Sequence, residues 1–136
     1  MKKLLSTQYS DGAFNFALLL LRLSFGLLII FNHAIPKLMD FSSLQYKFHN
    51  FMGIGSRFSL ILVLFAELFC SMFLVLGLFT RFVVIPLIIT MMVAIFSAHA
   101  GEPITESELA VLYGTVFITI LFIGPGKISI DGMMRG

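Results

Sequence analysis

Apolar and polar positions alternate along this chain in long blocks rather than residue by residue. Four continuous apolar runs stand out, at about Ala13 to Ile35, Phe58 to Leu78, Phe82 to Ala98 and Leu109 to Ile123. Crossing the ~30 Å hydrocarbon core of a bilayer takes about 20 helical residues, and ~17 suffice for a helix near the membrane normal. The first two runs meet that length with room to spare, and the last two are short. Period-two alternation, the signature of a membrane barrel strand, is absent from all four. The pattern predicts an all-α integral membrane four-helix bundle, one transmembrane domain over residues 1–136, with helices at about 13–35, 58–78, 82–98 and 109–123.

Between the first two runs lies the longest connection, Pro36 to Ser56. Its segment FSSLQYKFHNFM places Phe41, Leu44, Phe48 and Phe51 at helical spacing, which predicts a short amphipathic helix in the first external loop. GLFTR makes a tight turn between runs two and three, so those helices are expected to be antiparallel neighbours. Pro86 should kink the third helix. Gly124, Pro125 and Gly126 read as a helix stop and a turn.

Composition agrees with the pattern. Of 136 residues 59% are hydrophobic and 12% charged, half the charge of a typical soluble domain. One soluble core of this size could not hide so much apolar surface. A soluble enzyme, a disordered tail and a disulfide-stapled module are therefore excluded. The net charge of +2 is too small, and the basic residues too dispersed, for nucleic acid. The lone Cys70 forbids an intrachain disulfide and leaves no CxxC for thiol exchange.

Charge also sets the expected orientation. With the N-terminus inside, the cytoplasmic face holds Lys2, Lys3, Arg81, Lys127 and Arg135, against Lys37, Lys47 and Arg57 outside. The N-terminal segment resembles a signal-peptide n-region. However, the apolar run after it is about twice the usual 7–15 residues and has no A-x-A site. It is expected to remain as the first helix.

Ionisable groups within the apolar runs are functional-site hypotheses by default. Arg22 lies about nine residues above the inner end of its run and Glu67 about nine below the outer end of its own, so each should sit roughly 14 Å deep. A lone charge there costs about 2.5–3.5 kcal/mol on insertion scales. The expectation is a buried Arg22–Glu67 ion pair, which either fixes helix register or floors a ligand site.

Arg22, Gly26, His33 and Lys37 recur at spacings of four, seven and four, and so fall within an arc of about 80° on one helix face. Arg81 and His99 share a face of the third helix at opposite ends, which brings His99 to the level of His33. Glu102, Glu106 and Glu108 follow just above. Together these residues predict an outward-facing polar pocket of His33, Lys37 and His99, with Glu67 beneath. The plainer readings are a snorkelling Lys37 and two interfacial histidines.

Two histidines at one depth are also the ligand set of a b-type haem, but two spacings do not carry that assignment. A zinc or copper site lacks thiolates and a third ligand, so no metal is expected. Nothing forms a nucleophile–base–orienter set or a phosphate-cradling loop.

In order and spacing these features resemble the DoxX family. The resemblance is carried by LLLLRLSFGLLIIFNHAIPKL, with its Arg, Gly, His and Lys, and by Glu67 in FAELFC. It continues in the turn Gly77, Leu78, Thr80 and Arg81, in VAIFSAH ending at His99, and in GPGKISID. Ala34 stands after His33 where the family often has Gly. The likeness spans roughly Ala13 to Gly132.

It implies a multi-pass protein of the bacterial inner membrane, of a kind commonly described as oxidoreductase components. On that basis the first expectation is an accessory subunit of a membrane redox or oxidative-stress assembly. It would bind a quinone-like or other small amphiphile among Arg22, His33, Lys37, Glu67 and His99, with redox proteins or further copies of itself as partners. Gly26, Gly77, Arg81 and Pro86 are expected to be structural. The alternatives are a non-catalytic, chaperone-like scaffold and, less supported without inverted repeats, a small transporter.

Overall fold

A computed structural model describes residues 4–50, 53–98 and 107–135. Helix α1, Asp11–Met39, starts where the Ser10 hydroxyl accepts the Ala13 N–H at 3.0 Å, with Asp11 in the first turn. It runs four residues beyond the expected end, straight through Pro36. Proline has no N–H to give to Asn32, and its ring crowds that carbonyl. The preceding turn, Ile30–Ala34, is widened to a π turn, in which the Ile35 N–H reaches back to the Ile30 carbonyl.

Helix α2, Phe41–Leu44, is a single turn, although the Phe48 N–H still bonds the Leu44 carbonyl at 2.9 Å. Phe41, Leu44 and Phe48 are partly buried, while Ser42, Ser43, Tyr46 and Lys47 are exposed. The apolar stripe thus faces the protein as its spacing predicts. Phe51 lies outside the described residues. The regular helix is shorter than expected because polar contacts fold the chain back. The Ser56 hydroxyl donates to the Gln45 carbonyl, and Asn50 Oδ1 accepts the Gly55 N–H.

Helix α3, Ser56–Leu76, contains a second π turn at Phe65–Cys70. It ends at Gly77, whose φ of +73° closes a Schellman turn: the Leu78 N–H bonds the Phe73 carbonyl. Helix α4, Thr80–Val93, contains Pro86 and continues as a third π turn, Ala94–Ala98. Helix α5, Glu108–Ile123, stops at Gly124, and helix α6, Ile130–Arg135, closes the described chain.

Among the described residues the fold is all helical. Helix α1 packs on α3, α3 on α4, and α4 on α5, and α5 touches α1. Two of these helices, α1 and α3, are long and apolar enough to cross a membrane, and α4 and α5 are shorter. The core joins Ile29, Cys70, Leu74, Val84, Leu87, Phe117 and Ile120. Large apolar side chains also cover the outside, including Phe16, Phe31, Phe58, Phe82 and Phe122. A surface of that kind calls for lipid rather than water as solvent.

The first half of α1 and the C-terminal segment meet near the Gly77 turn at one pole, the terminal end: the Lys127 N–H bonds Asn15 Oδ1 and the Asp131 N–H bonds the Gly77 carbonyl. The Pro36–Ser56 connection lies at the other, the loop end.

Candidate functional site

The predicted Arg22–Glu67 pair does not form. Arg22, 1% exposed, turns to the terminal end, where Nη1 donates to the Leu74 and Val75 carbonyls at 3.4 Å and Nη2 donates to the Ile128 carbonyl. It therefore caps the end of α3, joining the Gly77 N–H on the Leu74 carbonyl and taking up the Val75 carbonyl. Leu74 is seven residues beyond Glu67, roughly 10 Å along the helix.

Two causes separate the charges. The helices are not level, because the part of α1 before Arg22 extends past the Gly77 turn and packs on the C-terminal segment. There Asn15 Oδ1 accepts the Lys127 N–H at 2.9 Å. In addition, helical side chains lean toward their own N-terminus. Arg22 thus leans to the terminal end and Glu67, on an antiparallel helix, to the loop end.

The same lean brings Lys37 down to Glu67. Lys37 Nζ and Glu67 Oε1 are 2.6 Å apart, with Glu67 3% exposed. This pair borders a cavity of about 530 Å³ toward the loop end, a volume in the range of small-molecule sites. His33 and Tyr113 also line it, their rings edge to face at 5.6 Å. Leu62, Ile89, Thr90 and Leu109 add to its walls, and Phe48 and His49 bring the first loop to it.

Elements of the cavity coincide with irregular helix. His33 sits in the first π turn, Glu67 in the second, and Ala94, another lining residue, opens the third. Such turns re-aim side chains and are frequent at functional sites.

The structure thus brings His33, Lys37 and Glu67 to one cavity and leaves Arg22 out of it. His99, Glu102 and Glu106 lie outside the described residues. Tyr113 was missed by the sequence reading, although its signal was present: a lone phenol inside a mostly apolar run. His49, within the segment expected to form the short amphipathic helix, lines the cavity without having been singled out.

The residues expected to be structural have defined places. Gly26 lets α1 approach α3 so closely that an added Cβ would lie 2.6 Å from Val75 Cγ2. At Gly77 it would meet Arg22 and Ser129. Arg81 Nη2 donates to the Phe122 carbonyl at 3.4 Å, at the end of α5. Pro86 lines the cavity, and the Thr90 hydroxyl bonds its carbonyl at 2.9 Å. Asp131 accepts the Phe79 and Thr80 N–H groups, both at 2.9 Å, and so caps α4 from the C-terminal segment.

A family comparison matches DoxX over residues 17–100, more than half of the chain. The chain belongs to the DoxX family. It is accordingly a membrane protein. The match takes in Arg22, His33, Lys37 and Glu67, whereas Tyr113 and Asp131 lie beyond it. No curated protein and no solved structure matches this DoxX chain.

Proposed function

We propose that this DoxX chain is a four-pass bundle of the bacterial inner membrane with both termini cytoplasmic. In this reading it serves as an accessory subunit of a membrane redox or oxidative-stress assembly, holding a small quinone-like amphiphile in the cavity at its loop end. The observation that carries the reading is a half-buried ion pair, with its carboxylate buried, beside an imidazole and a phenol in a cavity whose remaining walls are largely apolar. Few convergent polar groups in an apolar cavity are the usual make-up of a small-molecule site. Buried ionisable groups in a membrane protein otherwise carry a cost with no return in packing. The orientation rests on the count along the sequence, in which Lys2, Lys3, Arg81, Lys127 and Arg135 fall to one side and Lys37, Lys47 and Arg57 to the other.

The binding groups in this proposal are His33, Lys37, Glu67 and Tyr113, with His99 retained from its place in the sequence. Arg22 is no longer among them. The test is titration of purified chain in nanodiscs with a short-tailed quinone, followed by ligand mass. Saturable binding that is lost on replacing His33 and Tyr113 together by Leu and Phe supports the proposal. Uptake no greater than that of empty nanodiscs refutes it.

A scaffold without a ligand is the second reading, and Arg22, held by three backbone carbonyls, favours it for the terminal end alone. Under that reading His33 and Lys37 can be replaced with no change in the partner assembly.

A further inference from the structure

The two formal charges in the cavity cancel. Lys37 Nζ and Glu67 Oε1 are in contact at 2.6 Å, so an entering head group meets no net charge there. Hydrogen-bonding capacity is nevertheless left over. Among the described residues nothing donates to Glu67 Oε2, the second oxygen of a nearly buried carboxylate. An ionised carboxylate can only accept. Neither the His33 ring nor the Tyr113 hydroxyl has a hydrogen bond to a described residue, and both line the cavity.

These vacancies define a head group by elimination. A carboxylate or an ammonium would give up its hydration and find no unopposed counter-charge in exchange, because each member of the pair already faces the other. A head with acceptors only would leave Oε2 unsatisfied in a desolvated site, which is costly. An uncharged O–H satisfies Oε2, and its own oxygen can accept from His33 or Tyr113. The ring pair and the neighbouring Phe48 and Phe65 favour an aromatic carrier for that hydroxyl.

We infer that the cavity selects an uncharged amphiphile with a hydroxylated aromatic head, the phenol class, and that the Lys37–Glu67 pair sets this choice by neutralising both charges. The inference rests on reading the cavity as an amphiphile site. It adds which form of head group the site prefers: for a quinone-like ring, the hydroxylated form over the carbonyl form.

The experiment compares four probes of equal tail length on the full chain in nanodiscs, each against empty nanodiscs: para-octylphenol, its methyl ether, para-octylbenzoate and para-octylbenzylammonium. The phenol is expected to bind the wild type roughly tenfold or more tightly than the other three, the discrimination that a hydrogen bond to a charged group supplies. Lys37→Met exposes the carboxylate and moves first rank to the ammonium. Glu67→Gln frees the lysine and moves it to the benzoate.

A wild type that ranks a charged probe or the ether level with the phenol overturns the inference, as do folded variants that keep the wild-type order. In both cases the amphiphile reading stands. Absence of binding by all four probes overturns both. Where a variant does not fold, the wild-type ranking decides alone.

Discussion

Two cations on one stripe of α1 meet opposite fates. At the terminal end Arg22 is 1% exposed and its guanidinium is held by three backbone carbonyls, with Gly77 and Ser129 packed so closely that no space remains. At the loop end Lys37 reaches one carboxylate at the edge of a cavity of about 530 Å³. The first arrangement uses its donors to close ends of backbone, and only Nε is left without a partner. The second leaves acceptor and donor positions open to whatever enters. A buried charge in a membrane helix is therefore not one kind of signal. Its partners decide whether it belongs to the frame or to the site.

The largest effect expected from this contrast is at Arg22. Arg22→Leu strips hydrogen bonds from the Leu74, Val75 and Ile128 carbonyls and leaves a void among them. Leaving a buried acceptor unsatisfied costs about 1–3 kcal/mol each, so losing the donor to several carbonyls can consume much of the stability of a small domain. Little monodisperse chain should survive detergent extraction. The charge-swapped pair Arg22→Glu with Glu67→Arg should not restore it, because the two residues are not partners. Recovery of folded protein by that swap, read by size-exclusion chromatography, would return the pair to the membrane centre and end the contrast.

Next comes Gly26→Val. An added Cβ already lies 2.6 Å from Val75 Cγ2 and 3.4 Å from the Ser71 carbonyl, so α1 and α3 must part. Overpacking of this kind costs about 1–3 kcal/mol. Thermal melting in detergent should show a clear loss. An unchanged midpoint would mean that the helices can slide, and that Arg22 does not hold their register.

Asp131→Ala is expected to be milder. It leaves the Phe79 and Thr80 N–H groups at the start of α4 without their acceptor, and losing an N-terminal cap costs about 0.5–2 kcal/mol. Hydrogen exchange should rise at the first turn of α4 and not at the cavity. Faster exchange around Glu67 instead would show the two ends to be one cooperative unit.

How much of this was legible in the residues is clearest from the same stripe. Spacing alone put Arg22, Gly26, His33 and Lys37 on one face, and in the fold that face is turned inward. Partner choice was misread, because the depth estimate took the ends of both apolar runs as level. It also left out the lean of side chains toward the N-terminus, a rule that already sends Arg22 and Glu67 apart and brings Lys37 and Glu67 together. The overhang of α1 past Gly77 was not legible. It depends on Asn15 and the Lys127 backbone meeting across most of the chain length, a contact that no local pattern encodes. Likewise Asp131 shows nothing of a cap in sequence, since it serves a helix some fifty residues before it.

The smallest structural effect, and the sharpest functional one, is expected from Tyr113→Phe. Tyr113 is 4% exposed, with its ring stacked on Phe117 and set edge-on to Phe25 and His33. Phenylalanine keeps every one of those ring contacts, and no described residue hydrogen-bonds the hydroxyl that is removed. The stability read from melting should therefore stay within about 0.5 kcal/mol of wild type, the range of substitutions that disturb no packed or paired group. Binding should behave differently, because the variant loses a polar group the ligand is expected to use. An affinity loss of about 0.5–1.5 kcal/mol, the net worth of one neutral hydrogen bond, is expected in nanodisc titration with para-octylphenol. A variant that melts early yet binds as wild type would reverse the assignment: the phenol would belong with Arg22 to the frame, and the cavity would lose its neutral donor.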